Sequence, residues 1–287
     1  MAHLGLLRFT GADALSFLQG QVSNDTQRLT ERSPVLAAYS SAQGRVLALI
    51  YLLPHSSGVV AILPREILGA TMERMRKFIL RAKVRIEDAA DALVVAGHGA
   101  THETSSRYVE QDGIGTAPVG HDANRRWIIG PPEKIAASPD AAAAKRIEDE
   151  WRLADIRAGL PQVYAATSEA FVAQMLNLDL LDGISFTKGC YTGQEIIART
   201  QHLGRIKRRL FRLGLPSGTW NIGQALRLAD GRQGRLAEVI ESGGRTEALA
   251  VLSVEASSAG GEAPDEPLVD AAELPLPYSL LGPHVRE

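Results

Sequence analysis

The sequence predicts an α+β fold followed by a small all-β barrel. Two observations carry this. Helical periodicities alternate with hairpin-like strands without a regular βαβ repeat, which points away from a doubly wound sheet. Beyond Gly204 the chain changes to short strands separated by Gly, Pro, Asn and Asp turns, the pattern of a barrel or sandwich. The boundary falls near Gly204, giving regions 1–204 and 205–287.

Taken in order, Leu4 to Phe9 reads as a first strand. Thr10 or Asp13 can cap a helix from Ala14 to Gln19, and Gly20 can end it. The polar stretch Gln19 to Asp25 can line a cleft, or it can be a loop whose Asn24 and Asp25 make local turns. Val35 to Ser40 and Val46 to Leu53 form two strands joined by the turn Ala42-Gln43-Gly44-Arg45. Pro64 to Lys83 is expected as one helix, with Ile67, Leu68, Met72, Met75 and Ile79 on its apolar face. Strand character resumes at Val84–Ile86 and Leu93–Ala96. Residues 103–124 read as a polar loop, and Trp127–Ile129 as a strand. A helix from Asp140 to Ala158 places Ile147, Trp151, Ala154 and Ala158 on one face, where Trp151 is more often core than a ligand platform; Gly159 and Pro161 end it. In the second region, strands are expected at Ala225–Leu228, Gly234–Ile240 and Glu247–Ser253. Ala256 to Pro267 reads as a mobile loop, and Pro275 to Ser279 as an extended piece that packs back on the body.

Composition narrows the function. Apolar residues make up 45% of 287 residues, enough for a core, and a net charge of −2 gives no global pull towards nucleic acid or membrane. The single cysteine excludes an intrachain disulfide and any cluster held by cysteines of one chain. His98 and His102 have the four-residue spacing of helical metal ligands, but Gly97 and Gly99 argue against a helix there, so no metal site is assigned. The first residues lack a basic, apolar leader and no run is long enough to span a bilayer, so no membrane partner and a cytoplasmic location are expected.

The most informative stretch is Lys188-Gly189-Cys190-Tyr191-Thr192-Gly193-Gln194-Glu195. It reads as a strand end, a glycine turn and a helix start, with Thr192 and Glu195 spaced as a capping box. Cys190 then lies beside Lys188 and just before a helix N-terminus, two influences that favour thiolate. The plainer reading is a small buried residue in a turn. From Arg199 to Arg212 there are six basic residues and no acidic one. Such a run can meet RNA phosphates or an anionic small molecule, but it lacks interleaved aromatics and a recognition helix, which weakens RNA as a partner.

The octapeptide resembles the signature of the YgfZ family of folate-binding proteins, relatives of the glycine-cleavage T-protein, an aminomethyltransferase. The resemblance continues in Phe17-Leu18-Gln19-Gly20-Gln21 with Asn24-Asp25, Gly44-Arg45, Arg81-Ala82-Lys83-Val84, Gly159-Leu160-Pro161, Asn177-Leu178-Asp179 and Pro275-Leu276-Pro277-Tyr278. It implies interwoven T-protein-like α+β units over 1–204 around a central folate pocket, and a C-terminal β-barrel over 205–287. It implies tetrahydrofolate or a derivative as cofactor. The role it implies is in the assembly or repair of iron–sulfur client proteins, including radical enzymes that modify tRNA. Cys190 then supplies one ligand to a shared cluster or reacts as a thiolate, with Lys188 beside it. Trp151 resembles a folate-contacting tryptophan of the family; Asn24, Asp25, Gln194 and Glu195 are candidate polar partners of the pterin. Lys188, Arg199 or Arg205 can meet the carboxylates of the folate tail. One departure matters. Active T-proteins carry a carboxylate after the glycine turn, whereas Gly44-Arg45 leads into Val46-Leu47-Ala48-Leu49. An aliphatic run cannot move a proton. Folate-dependent one-carbon transfer is thus an alternative reading, and an RNA-associated factor a second one.

Overall fold

The computed structural model describes residues 1–99, 105–120, 122–137, 148–202, 205–256 and 267–280. His102, the start of the expected helix at 140–147, the boundary residue Gly204 and most of the segment from Ala256 to Pro267 lie outside the described residues.

The first unit is a five-stranded antiparallel sheet built from β1 (Leu4–Thr10), β2 (Val35–Ser40), β3 (Val46–His55), β4 (Gly58–Pro64) and β5 (Arg85–Asp88), in the order β2-β3-β4-β1-β5. Side chains alternate between the two faces of a strand, and here alternate residues enter different cores. Leu7, Phe9, Ala37, Tyr39, Ile50 and Ala61 pack with the helices α1 (Ala14–Gln19) and α2 (Arg65–Arg76). Leu6, Ala38, Leu49, Leu53, Val60 and Ile62 face the rest of the molecule. A sheet buried on both faces needs near-continuous apolar strands, and all six residues of β2 are buried.

Helix α2 ends at Arg76, seven residues short of the expected Lys83. The chain turns there so that the Lys83 amide can donate to Asp13 Oδ2 (2.7 Å) and the Asp13 amide to Lys83 O (3.2 Å). Asp13 is spent on this cross-link and makes no side-chain cap on α1. The expected loop over 103–124 is also corrected. It contains β7 (Val109–Gln111) and β8 (Ile114–Val119), which join β6 (Val94–Gly99) and β9 (Asp122–Gly130) in a sheet of order β6-β9-β8-β7. Asp112 and Gly113, both at positive φ (53° and 77°), make the two-residue turn between β7 and β8. An Asp-Gly pair is a hairpin signal. Helix α3 (Pro132–Ala137) follows, and the described part of the next helix is α4 (Glu148–Ala158).

After α5 (Gln194–His202) the chain forms β10 (Arg208–Leu215), β11 (Ala225–Leu228), β12 (Gln233–Ser242), β13 (Arg245–Ser253), β14 (Leu268–Val269) and β15 (Ala272–Leu274). Their order is β14-β11-β12-β13-β10-β15. A flat six-stranded sheet is about 24 Å wide. Yet its edge strands are separated only by Asp270 and Ala271, which reach at most about 11 Å. The sheet therefore curls into a half-barrel, closed around Phe211, Leu213, Leu226, Leu236, Ala250 and Val269.

Side-chain clamps fix the half-barrel to the body. Arg209 meets both oxygens of Asp179 (2.6 and 2.8 Å), and Asn177 Nδ2 donates to Leu210 O (2.9 Å). The segment after β15 packs back as expected: Tyr278 Oη donates to Gly159 O (2.8 Å) and accepts from Asn177 Nδ2 (3.3 Å). Glu247 sits between Arg157 of α4 (2.7 Å) and Arg212 of β10 (2.6 Å). Burial pushes its carboxyl up, but the two guanidinium groups overcome this and hold it below the usual range. A carboxylate with a depressed folded pKa adds stability that is present above its unfolded pKa and is lost as pH falls through the folded value. Glu247→Gln is accordingly expected to cost about 2 kcal/mol near neutral pH and almost nothing in acid, once the wild-type carboxyl is protonated. Thermal melts of both proteins at the two pH values check this; an equal deficit at both would remove the ionic contribution.

Candidate functional site

The octapeptide is anchored from below by its lysine. Lys188 Nζ donates to the carbonyls of Gln19 (2.7 Å), Val22 (2.7 Å) and Asn24 (2.8 Å). These carbonyls lie where α1 ends and the next loop begins, a position that favours a cation. Burial pushes the ammonium down to about 8, opposed by Asp25. The ammonium also lies 4.9 Å from the centre of the Tyr191 ring. Gly193 (φ +82°) abuts the turn between β2 and β3, where a Cβ would lie 2.6 Å from Ser41 O and 3.1 Å from Gly44 Cα. Helix α5 begins at Gln194, two residues later than the capping-box spacing suggested. Between these anchors Phe186, Thr187, Gly189 and Cys190 are exposed. The plainer reading of Cys190 as a buried turn residue is therefore overturned.

The stretch Gln19 to Asp25 is a hydrogen-bonded polar knot that holds the segment leading into the octapeptide. Asn24 is 2% exposed; its Nδ2 donates to Leu36 O (2.8 Å) and Asp182 O (2.6 Å), and its Oδ1 accepts from the Asp25 amide (2.8 Å). Asp25 accepts from Gln19 Nε2 (2.9 Å) and the Gln27 amide (3.0 Å). Ser23 Oγ donates to Gly183 O (2.6 Å), and the Ser185 amide to Ser23 O (2.9 Å).

Above this knot lies a cavity of about 420 Å³ between the first two sheets. Two cross-strand pairs face it, Leu36 with Tyr51 from β2 and β3, and Pro118 with Arg126 from β8 and β9. Leu181 and Asp182 close a third side. The Tyr51 ring is fixed by an edge contact with Trp127, centroids 4.5 Å apart. Asp182 is paired with Arg28 (2.7 Å). Arg126 is 7% exposed and donates to Ser105 O (2.6 Å) and Arg107 O (3.3 Å); among the described residues no carboxylate pairs with it, and burial pushes its pKa down. Two larger cavities, of about 520 and 600 Å³, each carry charges of both signs, Arg32 with Glu110 in the first and Arg65, Glu66 and Arg152 in the second. Glu110 is met by Ser56 and His55 in the first, and Arg152 by Glu238 near the second. A cavity with apolar and aromatic walls and, among the described residues, one charge without an acidic partner is suited to an anionic small molecule.

The sequence-derived candidates divide around this cavity. Lys188, Asn24 and Asp25 come together beneath it as scaffold. Gln194 is half-buried and Glu195 and Arg199 are exposed on or beside the first turns of α5. Arg205 pairs with Glu255 on the surface. Trp151 is fully buried in the core; its ring lies under the Arg125 guanidinium (4.9 Å) and fills the space that a Cβ on Gly97 would need. None of these lines the cavity. Arg126, Tyr51 and Asp182 were missed. A signal for the first was present: Arg125 and Arg126 are adjacent at the start of an apolar strand, so alternation must send one to each face. Both are buried, and Arg125 finds Asp122 (2.6 Å) and Asp155 (2.7 Å). Among the described residues no group of three or more His, Cys, Asp or Glu is placed to hold a metal ion.

The arrangement of two sheets and a half-barrel has a counterpart among solved structures. The crystal structure of glycine cleavage system aminomethyltransferase T from Bartonella henselae matches with a TM-score of 0.56 at 12% identity, covering 88% of this chain and 77% of that one. The fold is thus that of the T-proteins. At the level of sequence, the tRNA-modifying protein YgfZ of Yersinia pseudotuberculosis serotype IB (strain PB1/+) is 31% identical across 96% of this chain and 90% of its own length. The tRNA-modifying protein YgfZ of Hamiltonella defensa subsp. Acyrthosiphon pisum (strain 5AT) is 31% identical across 79% and 70%. The chain belongs to the YgfZ family of tRNA-modifying proteins. No family model matches it.

Proposed function

We propose that this protein is a tetrahydrofolate-binding accessory factor for the assembly or repair of iron–sulfur enzymes, radical enzymes that modify tRNA among them. The observation that carries the proposal is the exposure of Cys190 on a loop whose base Lys188 and the Gln19–Asp25 knot hold in place. The name of the relatives, tRNA-modifying protein, supports the client class. The cavity supports the ligand. Tyr51, Leu36 and Leu181 offer apolar walls to a flat pterin, and Arg126 offers a charge to the carboxylates of the tail. Folate supplies one-carbon chemistry when bound; the residues seen here hold and orient it. One thiol cannot complete a cluster, so the remaining ligands come from the client. The cytoplasm is the proposed site of action, and no helix among the described residues is long and apolar enough to cross a membrane.

Two observations weigh against the other readings. At the position of the T-protein carboxylate, Val46, Ala48 and Leu49 are fully buried. In the basic run, Arg205, Arg209 and Arg212 are each paired with a carboxylate, which reduces its pull on phosphates.

The test pairs calorimetric titration of tetrahydrofolate with complementation of a strain lacking the protein. Cys190→Ala is expected to bind tetrahydrofolate as the wild type does, yet to restore less than about a tenth of an iron–sulfur client's activity; removal of a reacting or ligating group commonly costs at least this much. Full complementation would rule out a role for the thiol. Absence of binding in the wild type would remove folate.

A further inference from the structure

We infer that Arg126 is the seat for a carboxylate, and that the central cavity selects its ligand by the anionic tail rather than by the pterin ring. The inference rests on the folate reading above, and it adds which part of the ligand is read and by which residue.

The cavity's charges support this. Among the described residues, three charged side chains line it: Arg28, Asp182 and Arg126. Arg28 and Asp182 cancel one another at 2.7 Å. The pterin edge carries amide-like and amino donors that favour a carboxylate, but the only carboxylate among these three is already taken. What remains is one cation. A buried charge without a counter-ion is costly, and removal of either member of a buried pair is strongly destabilising. Among the described residues no carboxylate meets Arg126, and its guanidinium is held by the Ser105 and Arg107 carbonyls. Carbonyls orient a guanidinium without neutralising it. Two of its five N–H donors are used, which leaves three for an incoming group. A carboxylate accepts two of these in a fork. The neighbouring arginine, Arg125, has its charge compensated from within the fold, since Asp122 and Asp155 both meet it.

The seat and the apolar wall belong to different sheets and line the same cavity. Arg126 is paired with Pro118 on the second sheet, and Leu36 with Tyr51 on the first. A ligand with a flat apolar body and a carboxylate at one end matches this arrangement. A neutral pterin without a tail gains the wall and leaves Arg126 uncompensated.

The experiment is a set of calorimetric titrations of the full-length protein and of Arg126→Gln and Arg126→Lys. The ligands are tetrahydrofolate, a tetrahydropterin without a tail, and p-aminobenzoylglutamate, the tail alone. Near-ultraviolet circular dichroism confirms that each variant is folded, and Arg126→Lys provides a charged variant should the glutamine protein fail to fold. The wild type is expected to prefer tetrahydrofolate over the tailless pterin by about 30-fold, the value of one charge-assisted hydrogen-bonded contact. Arg126→Gln is expected to lose this preference and bind both alike, and Arg126→Lys to retain part of it because it keeps charge without the fork. Equal weakening of both ligands, or tetrahydrofolate binding unchanged in Arg126→Gln and Arg126→Lys, would overturn the inference and leave the folate reading standing. If the wild type binds neither pterin, the folate reading falls and the tail alone decides: binding that requires Arg126 keeps the carboxylate seat, and no binding removes it.

Discussion

Replacement of Trp151 by alanine is expected to cost about 4 kcal/mol and to lower the melting temperature by on the order of 10 °C. The indole is completely buried in the core shared by the first sheet, the second sheet, α4 and the half-barrel. Its ring occupies space beside Gly97 that a Cβ there would invade, 2.2 Å from the ring carbons. It also lies beneath Arg125, whose guanidinium is tied to Asp155 of the same helix. Truncation therefore leaves a cavity and strips the cover from a buried ion pair. Chemical denaturation of both proteins measures the cost. A loss below about 1 kcal/mol would show that the ring is not a core element. Any weakening of folate binding in this variant has to be compared with Trp151→Phe, which keeps much of the volume.

Lys188→Met is expected to cost about 3 kcal/mol and to free the octapeptide. Methionine preserves the length of the side chain but leaves the carbonyls of Gln19, Val22 and Asn24 without their shared donor. Lys188→Arg is not a rescue, because a planar fork cannot serve three carbonyls that converge on one ammonium. Limited proteolysis and amide exchange across residues 186–193 are the direct measurements, with faster cleavage and exchange expected in the methionine variant while the half-barrel keeps its protection. Unchanged exchange in that loop would mean that Gly193 and its contact with Ser41 suffice to hold it. Because the lysine fixes the base of the loop, its loss is also expected to impair Cys190-dependent activity in cells.

Much of the fold was legible because its signals are local. Apolar runs marked β2 and β3, and turn residues marked the half-barrel strands. The Asp112-Gly113 hairpin carried an equally local signal and was passed over because the residues around it are polar. The end of α2 was not legible: the apolar periodicity continues through Ile79, and only the tertiary link between Asp13 and Lys83 shows why the helix stops. The site was less legible than the fold. Sequence marked Lys188 beside Cys190, and Asn24 as a polar partner of the ligand, but could not separate a side chain that meets a ligand from one that holds the loop behind it. Asn24 is spent on Leu36 O and Asp182 O, contacts 12 and 158 residues away in the chain. Arg126 was hidden for the opposite reason: it matters because it lacks an acidic partner, and a missing partner leaves no motif.

The seam between Gly159, Asn177 and Tyr278 also bears on how the chain is made. Tyr278 is 119 residues beyond Gly159 and 101 beyond Asn177. At ribosomal speeds of ~5–20 residues per second, the first of these contacts waits about 6–24 s for its partner to be synthesised. During that interval the two N-terminal sheets are complete in sequence, while the Gly159 carbonyl and part of the Asn177 amide remain open to water. The tyrosine is thus a late closure on the nascent chain. A polypeptide released before that point keeps an open seam beside its core, a surface by which chaperones and proteases can distinguish an unfinished chain from a finished one.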